Sequence, residues 1–273
     1  MIDLPAHEPK TYRAVDRCIY CGSDDALSDE HLFPFGLGGR WVLPNGSCQE
    51  CSRVTSAFEG VVQRTMLGPL RMMLDMPTRR RRERPETLPL KVQLTPGGEW
   101  TFIDVDRSVF PFLIILPVLT LPDEITGKQR EGERRAAAKT YWIRAPAVDG
   151  GFDDRCRDLA TELGVHQIMP TATSDAESFF RLLAKIAHAF AVAELGLEAF
   201  EPFLLSMIRD AKTDDAVRYV GGIERTEGAA PALHQAWIVA YTPKPDLVTV
   251  RIRLLACLGT PTYAVVVGRK RGG

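Results

Sequence analysis

The chain has 273 residues, of which 45% are hydrophobic and 25% are charged, and its formal net charge is −1. This composition is typical of a soluble globular protein with one large or two ordinary domains and a core that needs no disulfides. A net charge near zero argues against nucleic-acid binding through basic residues spread over the whole surface, although local basic clusters remain compatible with it.

The N-terminal segment MIDLPAHEPK has neither the basic start nor the apolar stretch of a secretory signal. The most apolar run, from Val109 to Leu121, is too short to span a bilayer and contains Pro111 and Pro117. We therefore expect a cytoplasmic protein that makes no membrane contact.

Four of the six cysteines form two C-x-x-C pairs, Cys18/Cys21 and Cys48/Cys51, with 26 residues between them. In a chain without a secretory signal, this pattern favours a metal site over disulfides. Each pair forms a tight knuckle that presents two thiolates, and two knuckles complete a tetrahedral site. Because four thiolates leave no position for water, we expect a structural Zn²⁺. The alternative is two buried cysteine pairs without a metal.

Between the two pairs lies the sequence DEHLFP at positions 29–34, followed by GLGG at positions 36–39. The order of knuckle, acidic-His pair, proline, double glycine and second knuckle over residues 18–60 resembles the zinc-stabilised branch of the HNH endonuclease family. This resemblance implies a small ββα-metal module that hydrolyses phosphodiester bonds in DNA, with RNA left open as a substrate.

Phosphodiester hydrolysis needs a deprotonated water and a divalent ion that polarises the phosphoryl oxygen. A histidine suits the role of the base. The resemblance implies that His31 is the general base and that Glu30, directly before it, holds a catalytic Mg²⁺, Mn²⁺ or other divalent ion. A turn or core role for His31 and a solvated role for Glu30 are the alternatives.

The remaining positions of the family motif match less closely. Asn45 is the candidate for the middle position, but it lies in a Pro-Asn-Gly turn that suits asparagine for local reasons. Directly after the last cysteine stands Ser52, a poor metal ligand. Glu59 shares a helical face with Ser52 and is the carboxylate that we expect to complete the catalytic ion site. A plain surface role for Glu59 is the alternative.

A helical apolar pattern runs from the second knuckle toward Leu74 and should break at Gly68-Pro69. Ser47 and Glu50 have the spacing of a capping box, so we expect them to start this helix.

The charged, proline-bounded segment 77–89 predicts an Arg-rich linker between a zinc module in residues 1–76 and a second domain in residues 90–273. Trp41 is a candidate for stacking on a base, although tryptophan more often packs in a protein. The candidate phosphate contacts are arginines near the double glycine and in the linker: Arg40, Arg79, Arg80, Arg81 and Arg82. A solvated linker is the alternative for the last four.

The second domain is predicted to be α+β with a mostly antiparallel sheet. Its predicted strands cover residues 91–94, 100–105, 112–119, 139–144, 217–221, 233–241, 247–255 and 262–267. Its predicted helices cover residues 154–163, 176–195 and 201–209. His188, surrounded by alanine and phenylalanine, is predicted to be a core histidine. No pattern in this domain indicates an activity.

Three hypotheses follow. The first is a metal-dependent HNH-type endonuclease that acts on DNA. The second, motivated by Ser52 and the displaced Asn45, is a zinc-knuckle protein that binds nucleic acid or regulates after its catalytic site has decayed. The third is a regulatory or scaffold protein whose α+β domain binds a small ligand or another copy of itself. The sequence leaves the oligomeric state open.

Overall fold

The computed structural model describes residues 4–78, 84–128, 139–145, 151–224 and 227–272. The strands are β1 (Lys10–Thr11), β2 (Leu27–His31), β3 (Trp41–Cys48), β4 (Thr87–Gln93), β5 (Trp100–Asp106), β6 (Phe112–Val118), β7 (Lys139–Ala145), β8 (Gln167–Met169), β9 (Phe200–Pro202), β10 (Val220–Gly222), β11 (Gln235–Tyr241), β12 (Lys244–Arg253) and β13 (Tyr263–Lys270). The α helices are α1 (Gln49–Arg64), α2 (Gly68–Met73), α3 (Asp123–Thr126), α4 (Phe152–Glu162), α5 (Ala176–Leu195), α6 (Leu205–Asp210) and α7 (Ala216–Tyr219).

The strands form four sheets within the described residues. Their orders are β1-β3-β2, β10-β13-β12-β11 with β9 also on β13, β5-β4-β8, and β6-β7. Each of these pairs is antiparallel except β1 with β3, which is parallel. The prediction of a mixed α+β chain with mostly antiparallel sheets is therefore confirmed.

In the N-terminal part, the antiparallel β2–β3 pair leads directly into α1. The predicted break is confirmed, because α1 ends at Arg64 and α2 begins at Gly68 with Pro69 in its first turn. The predicted capping box is wrong. Cys48, rather than Ser47, is the N-cap residue, and its sulfur accepts the backbone N–H of Cys51.

The second domain departs from its prediction at several places: α3 and β8 were not predicted, and three predicted segments differ. Strand β4 begins at Thr87, inside the predicted linker 77–89. The predicted helix 201–209 starts only at Leu205, because Pro202 ends a short strand that pairs with β13. Proline lacks the N–H that a helix interior needs, whereas it is tolerated at the end of an edge strand. Residues 217–221 divide between α7 and β10.

Helix α5 is the central element of the fold. It begins where the Asp175 carboxylate accepts the N–H of Ser178, and it ends before Gly196, whose φ is +92°. It packs against α1, α6, β12 and β13, so it is buried over most of its circumference. One hydrophobic core contains residues of both predicted domains. No helix in the described part of the chain is long and apolar enough to cross a membrane.

A buried histidine attaches the N-terminal arm to this core. The Nδ1 atom of His7 accepts the backbone N–H of Arg40 at 3.0 Å, and its ring lies 4.9 Å from Trp41 and 5.3 Å from His234. Burial, with a smaller contribution from the charge of Arg40, lowers the pKa of His7 to about 4. The folded arm therefore requires a neutral His7.

Replacing this imidazole should weaken the acid sensitivity of the fold. The stability that a neutral His7 contributes is complete above its ordinary pKa of 6.5 and is lost as pH falls toward the folded value of about 4. Between about pH 7 and pH 5 this loss is about 2 kcal/mol. We expect the free energy of unfolding in urea to fall about 2 kcal/mol less for His7→Phe than for the wild type between about pH 7 and pH 5.

The matched control is His166→Phe, because His166 is exposed. It should keep the pH dependence of the wild type. An unchanged pH dependence in His7→Phe would contradict the prediction.

Candidate metal and catalytic site

The four cysteines of the two predicted knuckles form a cluster. Their Sγ atoms all lie within 4.8 Å of one another, and those of Cys21 and Cys48 are 3.6 Å apart. A tetrahedral zinc with Zn–S bonds of about 2.3 Å separates its sulfurs by about 3.8 Å. The donor set and its spacing therefore fit Zn²⁺, and these four residues could hold such a metal.

The local backbone explains this placement. The N–H of Gly22 donates to the carbonyl of Cys18 at 2.9 Å, which closes the first knuckle. The second pair lies where β3 ends and α1 begins, so a single turn of chain presents both sulfurs. The N–H of Ile19 donates to Gly46 O at 2.9 Å, which connects the first knuckle to β3 just before the second.

The surroundings of the sulfur cluster disfavour the thiolate form at two of its cysteines. Burial and then the neighbouring Cys18 raise the pKa of Cys51, and burial is also the main cause of the raised pKa of Cys21. At Cys48 burial acts in the same direction, but the Cys51 N–H and the neighbouring thiols outweigh it and lower its pKa. A bound cation would stabilise all four thiolates together.

The predicted ion ligands Glu30 and Glu59 converge on one buried cation, the ammonium group of Lys185. Lys185 Nζ lies 2.5 Å from Glu30 Oε1 and 2.9 Å from Glu59 Oε1, and it also donates to the backbone carbonyl of His31. Lys185 is 1% exposed and Glu30 is 5% exposed. Strand β2, α1 and α5 therefore meet at a single ion-pair cluster.

Burial and the neighbouring charges affect the pKa values of Lys185 and Glu59 to different extents. Burial lowers the pKa of Lys185, but the two carboxylates outweigh burial and raise it, so the ammonium stays charged. Burial is the main cause of the raised pKa of Glu59, with Lys185 opposing it and Glu30 adding to it. Among the described residues, neither Glu59 Oε1 nor the hydroxyl of Tyr20 makes a hydrogen bond of good geometry. Burial and the nearby Glu30 raise the pKa of Tyr20.

His31, the predicted base, follows Glu30 at the end of β2. It is half-buried, and its ring centroid lies 5.8 Å from that of Phe35, which is 41% exposed. The imidazole is partly enclosed, whereas the Glu30 carboxylate beside it in sequence is buried.

The other motif positions take local roles. Asn45 is exposed, has a φ of +53°, and donates through Nδ2 to Asp16 Oδ1 at 2.8 Å, so it connects the β3 bend to the N-terminal arm. The carbonyl of Ser52 accepts the hydroxyl of buried Thr55 at 3.2 Å. Of the predicted catalytic side chains, Glu30 and Glu59 are the two that meet at one cation.

The candidate nucleic-acid contacts are placed differently from one another. Arg40 is exposed, and its backbone N–H donates to His7. Trp41 donates through Nε1 to Glu8 O at 3.1 Å, and its ring is stacked on Phe190 with centroids 5.8 Å apart. These interactions of the indole are internal to the protein. Four candidates lie outside the described residues: Arg79, Arg80, Arg81 and Arg82.

Sequence interpretation missed Lys185 and Tyr20. Lys185 stands between Ala184 and Ile186 in the middle of an apolar helix. Lysine is almost never fully buried without a partner, so this position already indicates a buried acidic residue elsewhere in the chain. His188 is confirmed as a core histidine, 2% exposed, with Nε2 at 2.8 Å from Ile19 O.

Comparisons with protein-family models, with curated proteins and with solved structures each give no significant match.

A chain that lacks one of the four sulfurs should lose its metal. We expect the purified wild type to carry about one zinc per chain and Cys48→Ser to carry much less, since three thiolates close the site poorly. Because zinc binding is coupled to folding, the free energy of unfolding should fall by at least about 3 kcal/mol. Metal analysis and denaturant unfolding measure both effects.

Cys156→Ser provides the control, because Cys156 lies on α4 and outside the cluster. Its zinc content should equal that of the wild type. A wild type that purifies without zinc and gains no stability from added zinc would refute the metal assignment.

Proposed function

We propose that this chain is a metal-dependent endonuclease of the HNH type that hydrolyses phosphodiester bonds in DNA. The observation that carries the proposal is the convergence of Glu30 and Glu59 on one cation position, 2.5 and 2.9 Å from the same nitrogen. These carboxylates come from the strand and the helix of a ββα unit whose ends are joined by the four-cysteine cluster. His31 follows Glu30 directly in sequence.

In this proposal the side chains have separate tasks. His31 would accept a proton from the attacking water. Glu30 and Glu59 would hold the catalytic Mg²⁺ or Mn²⁺ in place of the Lys185 ammonium, and such an ion would polarise the phosphoryl oxygen. The cysteines would hold a structural zinc that fixes the hairpin on the helix. Exposed Arg40 is the described candidate for a phosphate contact.

A second candidate is a zinc-knuckle protein that binds nucleic acid without cutting it. It is favoured by Lys185, which already occupies the cation position between the two carboxylates. Ser52, which replaces a better metal ligand on α1, favours it as well. The two candidates differ in whether His31 has a chemical role.

A nuclease assay with a histidine variant separates them. We expect zinc-loaded protein to nick supercoiled plasmid in Mg²⁺ or Mn²⁺, and His31→Ala to nick it at least about 100-fold more slowly, the usual effect of removing a general base. His31→Ala should keep its zinc, since the ligands are elsewhere. His166→Ala, which removes an exposed imidazole on another sheet, should cut like the wild type.

The assay includes Lys185→Gln, because the ammonium group of Lys185 could block the catalytic ion in the wild type. Without this variant, a blocked nuclease would look the same as a protein that cannot cut. In one outcome, both the wild type and Lys185→Gln bind DNA but leave it intact in several divalent ions. This result contradicts the nuclease proposal and favours the second candidate. If no DNA binds even at low salt, both nucleic-acid candidates fail.

A further inference from the structure

We infer that Lys185 is an intramolecular competitor of the divalent ion: docking of α5 places an ammonium group in a latent cation site formed by Glu30, Glu59 and Tyr20. The claim that this contact inhibits the chain rests on the proposed function. The claim that Lys185 competes with a divalent ion for the two carboxylates rests on the contacts alone.

The position of the ammonium is the first argument. Lys185 Nζ is in ion-pair range of both carboxylates, at 2.5 Å from Glu30 Oε1 and 2.9 Å from Glu59 Oε1. A divalent ion shared by these two groups would need the same space. Lys185 is 1% exposed, so its ammonium group lies away from solvent between the two carboxylates.

The charge and hydrogen-bond balance is the second argument. Two carboxyl groups face one ammonium, so lysine supplies one positive charge where a divalent ion would supply two. A buried polar atom near Glu30, the hydroxyl of Tyr20, makes no hydrogen bond of good geometry among the described residues. Oxygen-rich sites of this kind suit Mg²⁺ and Mn²⁺. Lysine therefore satisfies the site only in part.

Helix α5 holds Lys185 in place through a second contact with the zinc module. His188, three residues further along and on the same helical face, directs Nε2 to the carbonyl of Ile19 at 2.8 Å. Its ring lies 5.8 Å from that of Tyr20. Ile19 and Tyr20 are the two residues inside the first knuckle, between Cys18 and Cys21. The helix therefore contacts the knuckle and the carboxylate pair with one face.

Mn²⁺ binding to the zinc-loaded protein tests the inference without relying on activity. Mn²⁺ prefers oxygen ligands and competes poorly for a four-thiolate site, so its electron paramagnetic resonance signal reports on the carboxylates. We expect Lys185→Gln to bind one Mn²⁺ at least about tenfold more tightly than the wild type does. The double variant Lys185→Gln/Glu59→Gln should lose this gain.

Arg181→Gln is the matched control. It removes a positive charge from the same helix, one turn earlier, where the guanidinium donates to the carbonyls of Met207 and Ile208. Its affinity for Mn²⁺ should equal that of the wild type. If Lys185→Gln needs an ion in order to fold, recovery of its folding by Mn²⁺ supports the inference.

The inference is overturned if folded Lys185→Gln binds Mn²⁺ no better than the wild type, or if unfolded Lys185→Gln is not recovered by Mn²⁺. The plasmid assay on the same samples separates it from the proposed function. Tight Mn²⁺ binding without cutting in Lys185→Gln preserves the latent site and removes the nuclease. If Lys185→Gln binds Mn²⁺ no more tightly than the wild type but the protein cuts DNA in a way that depends on His31, the nuclease proposal stands and the latent site is removed.

Discussion

The ammonium group of Lys185 connects three elements that lie far apart in sequence. Its partners are the carboxylates of Glu30 on β2 and Glu59 on α1, and the carbonyl of His31. Removing an ammonium from water costs several kcal/mol, so it is stable in the core only while these acceptors stay in place. A buried ion pair adds little net stability compared with apolar packing, but the loss of one partner is costly. The cluster therefore fixes how α5 docks on the ββα unit more than how strongly it docks.

The four clustered cysteines act on the same site from its other end. Cys48 ends β3 and caps α1, so a metal held by the cluster would fix the angle between the strand that pairs with Glu30 and the helix that carries Glu59. The bend in β3 brings Gly46 against Glu30: a Cβ atom at Gly46 would lie 3.0 Å from Glu30 Cβ. A side chain at position 46 would therefore press on Glu30, which favours glycine there. The position of the Glu30 carboxylate thus depends on the sulfur cluster, the bend and Lys185 together.

Sequence patterns predicted the features that depend on neighbouring residues. The four-cysteine cluster follows from C-x-x-C spacing, and α5 follows from 20 residues of helical pattern closed by Gly196. The capping box failed because Cys48 is the N-cap residue: its sulfur accepts the N–H of Cys51, and the Ser47 hydroxyl donates to the carbonyl of Cys48. The boundary at the Arg-rich segment has no counterpart in the core, which contains residues from both sides of it. The partners of Lys185 were missed because a pattern within one helix indicates that a buried charge needs a partner, but not which distant carboxylate supplies it.

Under the proposed function, whether the carboxylates hold a metal ion or Lys185 depends on more than the β2–β3–α1 unit. The segment from Cys18 to Glu59 supplies the two carboxylates, the imidazole of His31 and the four clustered cysteines. The cation between the carboxylates comes from α5, which belongs to the core of the second predicted domain. One positive charge from lysine balances the pair in part, and two from a metal ion would balance it fully. Under the proposed function, the docking of α5 sets which of the two cations the pair holds, so a helix outside the HNH-like segment would control the chemistry available to that segment.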